Sequence, residues 1–141
     1  MSEVTRRFRR RASAIPAART FVQSTLAAWE INDPSRADDV LLCVSELATN
    51  ALLHGSTGSE YFLVKLSETD ARLRVEVHDT SRRRPRAKQP SAEAVNGRGL
   101  LLVNLLADGY GVEPRPSGKV VWSEFKVAAR TLPSDGAGDV C

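Results

Sequence analysis

Residues 46–50 read Glu-Leu-Ala-Thr-Asn, within a helical pattern that extends from about residue 34 to His54. Glu46 and Asn50 are four residues apart, so in a helix their side chains lie one turn apart on one face. Apolar residues recur beside them at helical spacing, at Val40, Val44, Leu47 and Ala51. The pair therefore borders a buried face. It is either a functional carboxylate and amide or the solvated edge of an amphipathic helix.

A strand pattern precedes Asp79. Apolar and polar residues alternate strictly from Leu73 to His78, which is typical of a strand with one buried face. Asp79 falls at an inward position, where a carboxylate needs a partner. A ligand amino group, such as that of adenine, is one candidate partner. The alternative is an aspartate that caps the turn into Thr80 and Ser81.

A third motif, Asn96-Gly97-Arg98-Gly99-Leu100, precedes an apolar run that continues to Leu106. Glycine allows backbone N–H groups to approach an anion closely, and a helix N-terminus attracts phosphate. Arg98 adds positive charge to such a contact. The same residues also suit an ordinary loop before a helix. The motif is neither a Walker loop nor a complete dinucleotide fingerprint.

In their order and spacing these motifs resemble the GHKL ATPase superfamily, which has the Bergerat fold. The closest likeness is to small anti-sigma factor serine/threonine kinases of the actinobacterial regulatory type. The matching segments are Glu46-x-x-x-Asn50 with His54, Asp79-Thr80-Ser81 for D-x-G, Gly97-Arg98-Gly99-Leu100 for G-x-G-L, and 118–125 for the closing strand, which begins with glycine and ends with phenylalanine. Together they extend over residues 13–129.

The resemblance implies ATP and Mg²⁺ as cofactors and a role for each helix and strand residue. Glu46 would be the general base that activates the attacking hydroxyl or water. Asn50 would coordinate the magnesium ion that bridges the phosphates. Asp79 would bind the adenine amino group.

The glycine motif would form the phosphate-binding lid. Gly97 and Gly99 would present N–H groups to phosphate, Arg98 would add charge, and Leu100 would begin the next helix. By the same resemblance, the segment 80–98 is interpreted as a short ATP lid.

Two positions depart from the family pattern. Ser81 stands where D-x-G has glycine, and Lys119-Val120 stands where the family often has a threonine that supports adenine binding. Thr80 is our candidate replacement for that threonine.

The resemblance implies a serine/threonine protein kinase that regulates transcription by partner switching. It would phosphorylate an anti-sigma factor antagonist, sequester a sigma factor, or do both, and it could form a homodimer as the resembled proteins do. The alternative is a non-catalytic ATP-binding or degenerate module of the same fold that acts by protein contact.

Length and composition favour one domain. A chain of 141 residues can bury a single core, and no apolar stretch is long enough to cross a membrane. Arginines near the N-terminus are not followed by an apolar signal segment, so we expect a cytoplasmic location. Cys43, in the helix before Glu46, is interpreted as a small packed side chain in a reducing compartment.

The net charge of +3 is unevenly distributed, because half of the 20 basic residues fall in segments 6–11 and 82–88. The second segment is interpreted as a solvated loop, as a site for phosphate or an acidic protein, or as a nucleic-acid contact. Nucleic-acid binding is the least favoured, since no recognition helix or aromatic platform accompanies the arginines.

The predicted fold is α+β, a two-layer sandwich with helices on one face of a mostly antiparallel mixed sheet. Residues 1–12 would be a basic arm or edge strand, 13–130 the ATP-binding domain, and 131–141 a flexible tail. The predicted elements are a strand at 5–11, helices at 17–30, 34–54 and 99–107, and strands at 60–67, 71–79, 109–114 and 119–129.

Overall fold

The computed structural model describes residues 1–54, 60–80, 101–116 and 118–127. The five strands are β1 (Ser2–Arg9), β2 (Tyr61–Thr69), β3 (Arg72–Thr80), β4 (Gly109–Arg115) and β5 (Gly118–Lys126). Two long helices are α1 (Ala14–Ala28) and α2 (Pro34–His54). Residues 101–106 are also helical and are called α3.

The strands form one sheet in the order β1-β2-β3-β5-β4, with β1 and β4 at its edges. Every strand pairing in the described part of the chain is antiparallel. The helices supply the second layer, in which α1 contacts α2 and β1, and α2 contacts β3 and β5. The predicted α+β sandwich is confirmed.

Alternating strand residues and one face of each helix form the core between the two layers. Inward residues of adjacent strands are cross-strand partners. Val64 on β2 pairs with Val77 on β3, and Val77 pairs with Val121 on β5. The fully buried side chains include Phe62, Phe125, Leu47, Leu66, Leu73, Val22, Val40 and Val44. Because burial of each large apolar side chain contributes about 1.5–3 kcal/mol, this layer fixes α2 on the sheet.

The ends of α2 match the sequence prediction because the helix start has a strong local signal. Asp33 Oδ1 accepts hydrogen bonds from the backbone N–H groups of Ser35 and Arg36, at 3.2 and 3.4 Å. Pro34 occupies the first helical position, where its missing N–H has no cost.

Several predicted boundaries differ from the structure, among them those of α1 and β1. Helix α1 begins at Ala14, three residues before the predicted start, because Pro16 is tolerated anywhere in the first turn. Strand β1 spans Ser2–Arg9 rather than 5–11. Its arginines obscure, in the sequence, the alternation of buried and exposed positions in which Phe8 is buried. The predicted lid at 80–98, the basic segment 82–88 and the tail at 131–141 lie outside the described residues, apart from Thr80 at the end of β3. The division into 1–12, 13–130 and 131–141 stays a prediction.

The hairpin between β2 and β3 turns at two residues with left-handed backbone, Asp70 at φ 53° and Ala71 at φ 62°. Such a turn favours glycine, because a Cβ atom is strained at positive φ. We expect Ala71→Gly to raise the free energy of unfolding by about 0.5–1 kcal/mol. Urea denaturation measures this difference, and a less stable variant would contradict the strain assigned to Ala71.

The sheet face opposite the helices carries a network of charged side chains. Arg74 donates from Nε to Glu76 Oε2 at 2.7 Å and from Nη1 to Glu124 Oε2 at 3.1 Å, and its guanidinium lies 4.2 Å from the Trp122 ring centroid. The Trp122 ring requires a glycine at 111, since a Cβ there would lie 2.8 Å from ring atoms. This face is therefore organised by charge rather than by apolar packing.

Glu76 connects this network to His78, whose Nε2 lies 2.7 Å from Glu76 Oε1. Burial acts to raise the pKa of Glu76, but the hydrogen bonds with Arg74 and His78 outweigh it and hold the pKa below the ordinary 4.5. A depressed carboxyl pKa stabilises the fold above the unfolded-state pKa, and this contribution is lost as the pH falls through the folded-state value.

We therefore expect Glu76→Gln to lower the free energy of unfolding at pH 7 by about 1–2 kcal/mol. The difference from the wild type should shrink as the pH falls below about 4. Denaturant titrations from pH 7 to 3 measure it, with Glu3→Gln, at a more exposed ion pair with Lys65, as the control. A difference that does not change with pH would contradict this account.

No helix in the described ranges is long and apolar enough to cross a membrane.

Candidate functional site

One stripe of α2 carries both predicted helix residues. Arg36, Asp39, Cys43, Glu46 and Asn50 follow one another at intervals of three or four residues, so they lie along a single side of the helix. Glu46 is half-buried, and Asn50 is only 7% exposed. The stripe therefore borders the core along its whole length, as the apolar periodicity predicts.

Asn50 is buried with an unsatisfied amide. Its Nδ2 has no hydrogen-bond partner among the described residues. A buried donor without a partner costs about 1–3 kcal/mol, which a ligand carrying an acceptor would recover. The Asn50 amide therefore fits a site that is completed by a bound group.

Asp79 lies at the end of the sheet, one residue before the end of β3. It points inward, is 2% exposed, and has Phe62 and Lys119 as its cross-strand neighbours. The inward position follows from the alternation of β3. The carboxylate thus lies in the interface between sheet and helices that α2 covers.

Lys119 is the charged neighbour of this carboxylate. Its Nζ lies 3.8 Å from Asp79 Oδ2, and its side chain is 14% exposed. Burial lowers the pKa of the Lys119 ammonium, the charge of Asp79 opposes this, and the charge of Arg10 lowers the pKa further. Arg10 is fixed at the last turns of α2, where its Nη2 donates to the Leu52 carbonyl at 3.0 Å. Two cationic side chains therefore act at the Asp79 end of the site.

Cys43 lies on the α2 stripe, one turn before Glu46. Its thiol is fully buried, and burial together with the charges of Asp39 and Glu46 raises its pKa to about 12. The thiol is protonated at neutral pH and behaves as a small packed group, as the sequence predicts. Within the described ranges no cluster of three or more His, Cys, Asp or Glu side chains could hold a metal ion.

At the start of the stripe, Arg36 joins α2 to α3 and to β5. It forms an ion pair with Asp108, donates from Nη1 to the Leu106 carbonyl at 3.2 Å, and donates from Nε to the Lys126 carbonyl at 3.0 Å. It also pairs with Asp39 at 3.0 Å. This arginine therefore holds the C-terminal end of α3 and the start of β4 against α2.

The predicted site residues divide into two groups. Glu46 and Asn50 lie on α2, which contacts β3 and β5, Asp79 lies near the end of β3, and Thr80 ends β3 opposite Gly118. The lid residues Gly97, Arg98, Gly99 and Leu100, together with Ser81, lie outside the described residues.

Three functional candidates were missed from the sequence, namely Arg10, Arg36 and the pairing of Lys119 with Asp79. One signal for Lys119 was available. It precedes Val121, Ser123 and Phe125 at alternate positions, which predicts that it points inward with them.

A groove of about 900 Å³ lies elsewhere, between β1 and α1. Phe8, Phe21 and Trp29 contribute aromatic surface to it, and arginines 6, 7, 9 and 11 also line it. None of the predicted site residues is among its lining residues. The groove is therefore separate from the α2 site.

Comparison with known proteins identifies the family to which this α+β sandwich belongs. The family model of the histidine kinase-like ATPase domain matches residues 8–125. This chain belongs to that family, as its resemblance to GHKL proteins predicts.

A solved structure has a similar fold: the crystal structure of the RsbU and RsbW domains of Rv1364c from Mycobacterium tuberculosis. The match has a TM-score of 0.67 and 20% sequence identity, and it covers 94% of this chain. The chain spans 35% of that longer protein chain. No significant match to a curated protein sequence was found.

Proposed function

We propose that this chain binds ATP with magnesium and transfers the γ-phosphoryl group to a serine or threonine of a partner protein. The partner would be an anti-sigma factor antagonist, and a sigma factor would be a second partner that the chain sequesters. Family membership supports ATP as the substrate. The similarity to a protein with an RsbW domain supports the regulatory class of partner.

One observation carries the nucleotide assignment: the Asn50 amide is buried beside Glu46 on α2, with its Nδ2 unsatisfied among the described residues. Magnesium is usually bound by few protein ligands, and water and phosphate oxygens occupy its other coordination positions. Among the residues that the structure describes, the site offers one amide and no cluster of acids, which fits that preference. The amide oxygen of Asn50 would hold the ion, which would neutralise phosphate charge when bound, and the unsatisfied Nδ2 would donate to an acceptor of the bound nucleotide.

In the proposed reaction, the acceptor hydroxyl oxygen forms a bond to the γ-phosphorus, and the bond to the β–γ bridging oxygen breaks. ADP leaves with the electron pair, and Glu46 takes the hydroxyl proton. Such transfers depend mainly on positioning and electrostatic stabilisation. Glu46 suits the role of base because it is half-buried and yet retains access to solvent.

The test is phosphorylation of purified antagonist proteins encoded in the same genome. Each is incubated with the full chain, ATP and Mg²⁺, and intact-mass spectrometry detects phosphoryl transfer to the acceptor. Transfer to one antagonist, located at a serine or threonine by peptide mapping, is the expected result. ATP binding without transfer to any antagonist would favour the non-catalytic binding module.

Asn50→Ala gives a prediction specific to magnesium. Because Asn50 would hold the ion, we expect the variant to bind ATP about tenfold more weakly in Mg²⁺. In EDTA the variant should be weakened less than in Mg²⁺, because only the Nδ2 contact with the nucleotide is then lost. Fluorescence titration with a labelled ATP analogue under both conditions measures this difference. Equal weakening with and without Mg²⁺ would contradict the metal role.

A further inference from the structure

We propose that the β1–α1 groove, the groove lined by strand β1 and helix α1, is a docking site for an acidic and partly apolar segment of a partner protein. The segment pairs with the free edge of β1 as an added strand. None of the residues assigned to the α2 site lines this groove, so the inference does not depend on the proposed function.

Strand β1 lies at one end of the sheet order and pairs along its length with β2. No other strand of the described residues pairs with β1, so its outer edge has no strand partner there. An edge of this kind can accept an extended peptide, and backbone hydrogen bonds then supply affinity. A segment of about eight residues matches the length of β1.

The inner surface of the groove is formed by aromatic and small side chains. Phe8 and Phe21 both line it and meet edge to face, with 6.0 Å between their ring centroids. The α1 side of the groove presents exposed small side chains at helical spacing, at Ala17, Thr20, Ser24 and Ala28. Because these side chains are short, the groove has room for apolar side chains of a docked segment.

The groove is also lined by exposed arginines, at positions 6, 7, 9 and 11. In the described part of the chain no carboxylate pairs with any of these side chains. Arg6 instead lies 5.8 Å from the ring centroid of Phe21, and Arg7 lies 4.3 Å from that of Tyr61. Each of the arginines at positions 36, 72, 74 and 115, by contrast, pairs with a carboxylate of the chain. The positive charge of the groove is therefore complementary to an acidic partner.

Alternation along β1 separates the apolar and charged groups. Phe8 is buried against the helix layer, so Arg7 and Arg9 project from the opposite face of the sheet. The side chains of an added strand alternate in the same way. Apolar side chains at every second position then enter the groove beside Phe21, and the acidic side chains between them lie beside Arg7 and Arg9. The segment that fits is one in which acidic and apolar residues alternate.

The same features disfavour two other occupants. Two copies of β1 in contact would bring both sets of arginines together, and like charges across an interface are costly. Single-stranded nucleic acid binds by stacking bases on exposed ring faces. Phe8 is only 8% exposed and stacks on Phe62 at 5.7 Å between ring centroids, so it offers no such face.

The test is selection from a displayed library of random peptides of about ten residues on the purified full chain, without nucleotide. The most enriched peptide is synthesised with a fluorescent label and titrated by anisotropy. The double variant Arg7→Gln/Arg9→Gln removes two positive charges from β1. The control, Arg19→Gln/Lys126→Gln, removes two charges from exposed positions that do not line the groove. Thermal melts confirm that both variants fold.

We expect the enriched peptides to alternate acidic and apolar residues. The Arg7→Gln/Arg9→Gln variant should bind the labelled peptide about tenfold more weakly than the wild type, and the control should stay within about twofold. A peptide with glutamine in place of each acidic residue should bind the wild type about tenfold more weakly. This last comparison needs no variant, so it holds even where the β1 variant does not fold.

Several outcomes would overturn the inference. Among them are no saturable binding of any selected peptide, equal affinity for the acidic and glutamine peptides, and equal loss of affinity in both double variants. Displacement of the peptide by oligothymidylate of the same charge would reduce the groove to a nonspecific anion site. A dimer in sedimentation velocity that the peptide dissociates would place a second copy of the chain in the groove. Since no nucleotide is present, these results are independent of the ATP titrations that test the proposed function.

Discussion

Replacing Glu46 by Gln is expected to reduce phosphoryl transfer by about a hundredfold to ten-thousandfold, the usual contribution of a general base. The variant keeps the size and half-buried position of the side chain but cannot take the hydroxyl proton. Because Asn50 and Asp79 are unchanged, ATP affinity should stay within about twofold of the wild type.

Single-turnover transfer to the antagonist measures the rate, and calorimetric titration measures the affinity. Glu60→Gln, at an exposed position just before β2, is the matched control and should retain full activity. Parallel loss of rate and affinity would count against Glu46 as the base. It would indicate that Glu46 instead supports the site structurally.

Asp79→Asn is expected to raise the dissociation constant for ATP about tenfold to a hundredfold. The variant loses a charged acceptor at a 2% exposed position and leaves the Lys119 ammonium without its carboxylate. The measurement is a titration of both proteins with ATP and Mg²⁺ after thermal melts have shown that the variant folds.

Asp70→Asn is the control for this substitution. Asp70 is exposed in the β2–β3 turn at φ 53°, a backbone conformation that asparagine tolerates well. The dissociation constant of Asp70→Asn for ATP should equal that of the wild type. An unchanged constant in Asp79→Asn would remove Asp79 from the base site.

Local signals explain what could be predicted from the sequence. The limits of α2 follow from a capping aspartate, a proline at the first position and uninterrupted apolar periodicity. The inward position of Asp79 follows from the alternation of β3 alone. Such features need only neighbouring residues, so one chain is enough to derive them.

Long-range pairing explains what could not be predicted. The ion pair of Asp79 with Lys119 depends on the register between β3 and β5, which are 40 residues apart at this point. The contacts of Arg36 with Asp108 and Leu106 depend on how α3 meets α2. For β1, five arginines between positions 6 and 11 obscured the strand limits, which pairing with β2 determines.

The central claim is that the interface of α2 with the sheet binds a nucleotide. Calorimetric titration of the purified full chain with ATP and Mg²⁺ tests this most directly. We expect saturable binding of one ATP per chain, weakened in Asp79→Asn and retained in Asp70→Asn. Absence of heat at millimolar ATP, with the protein shown to be folded, would contradict it.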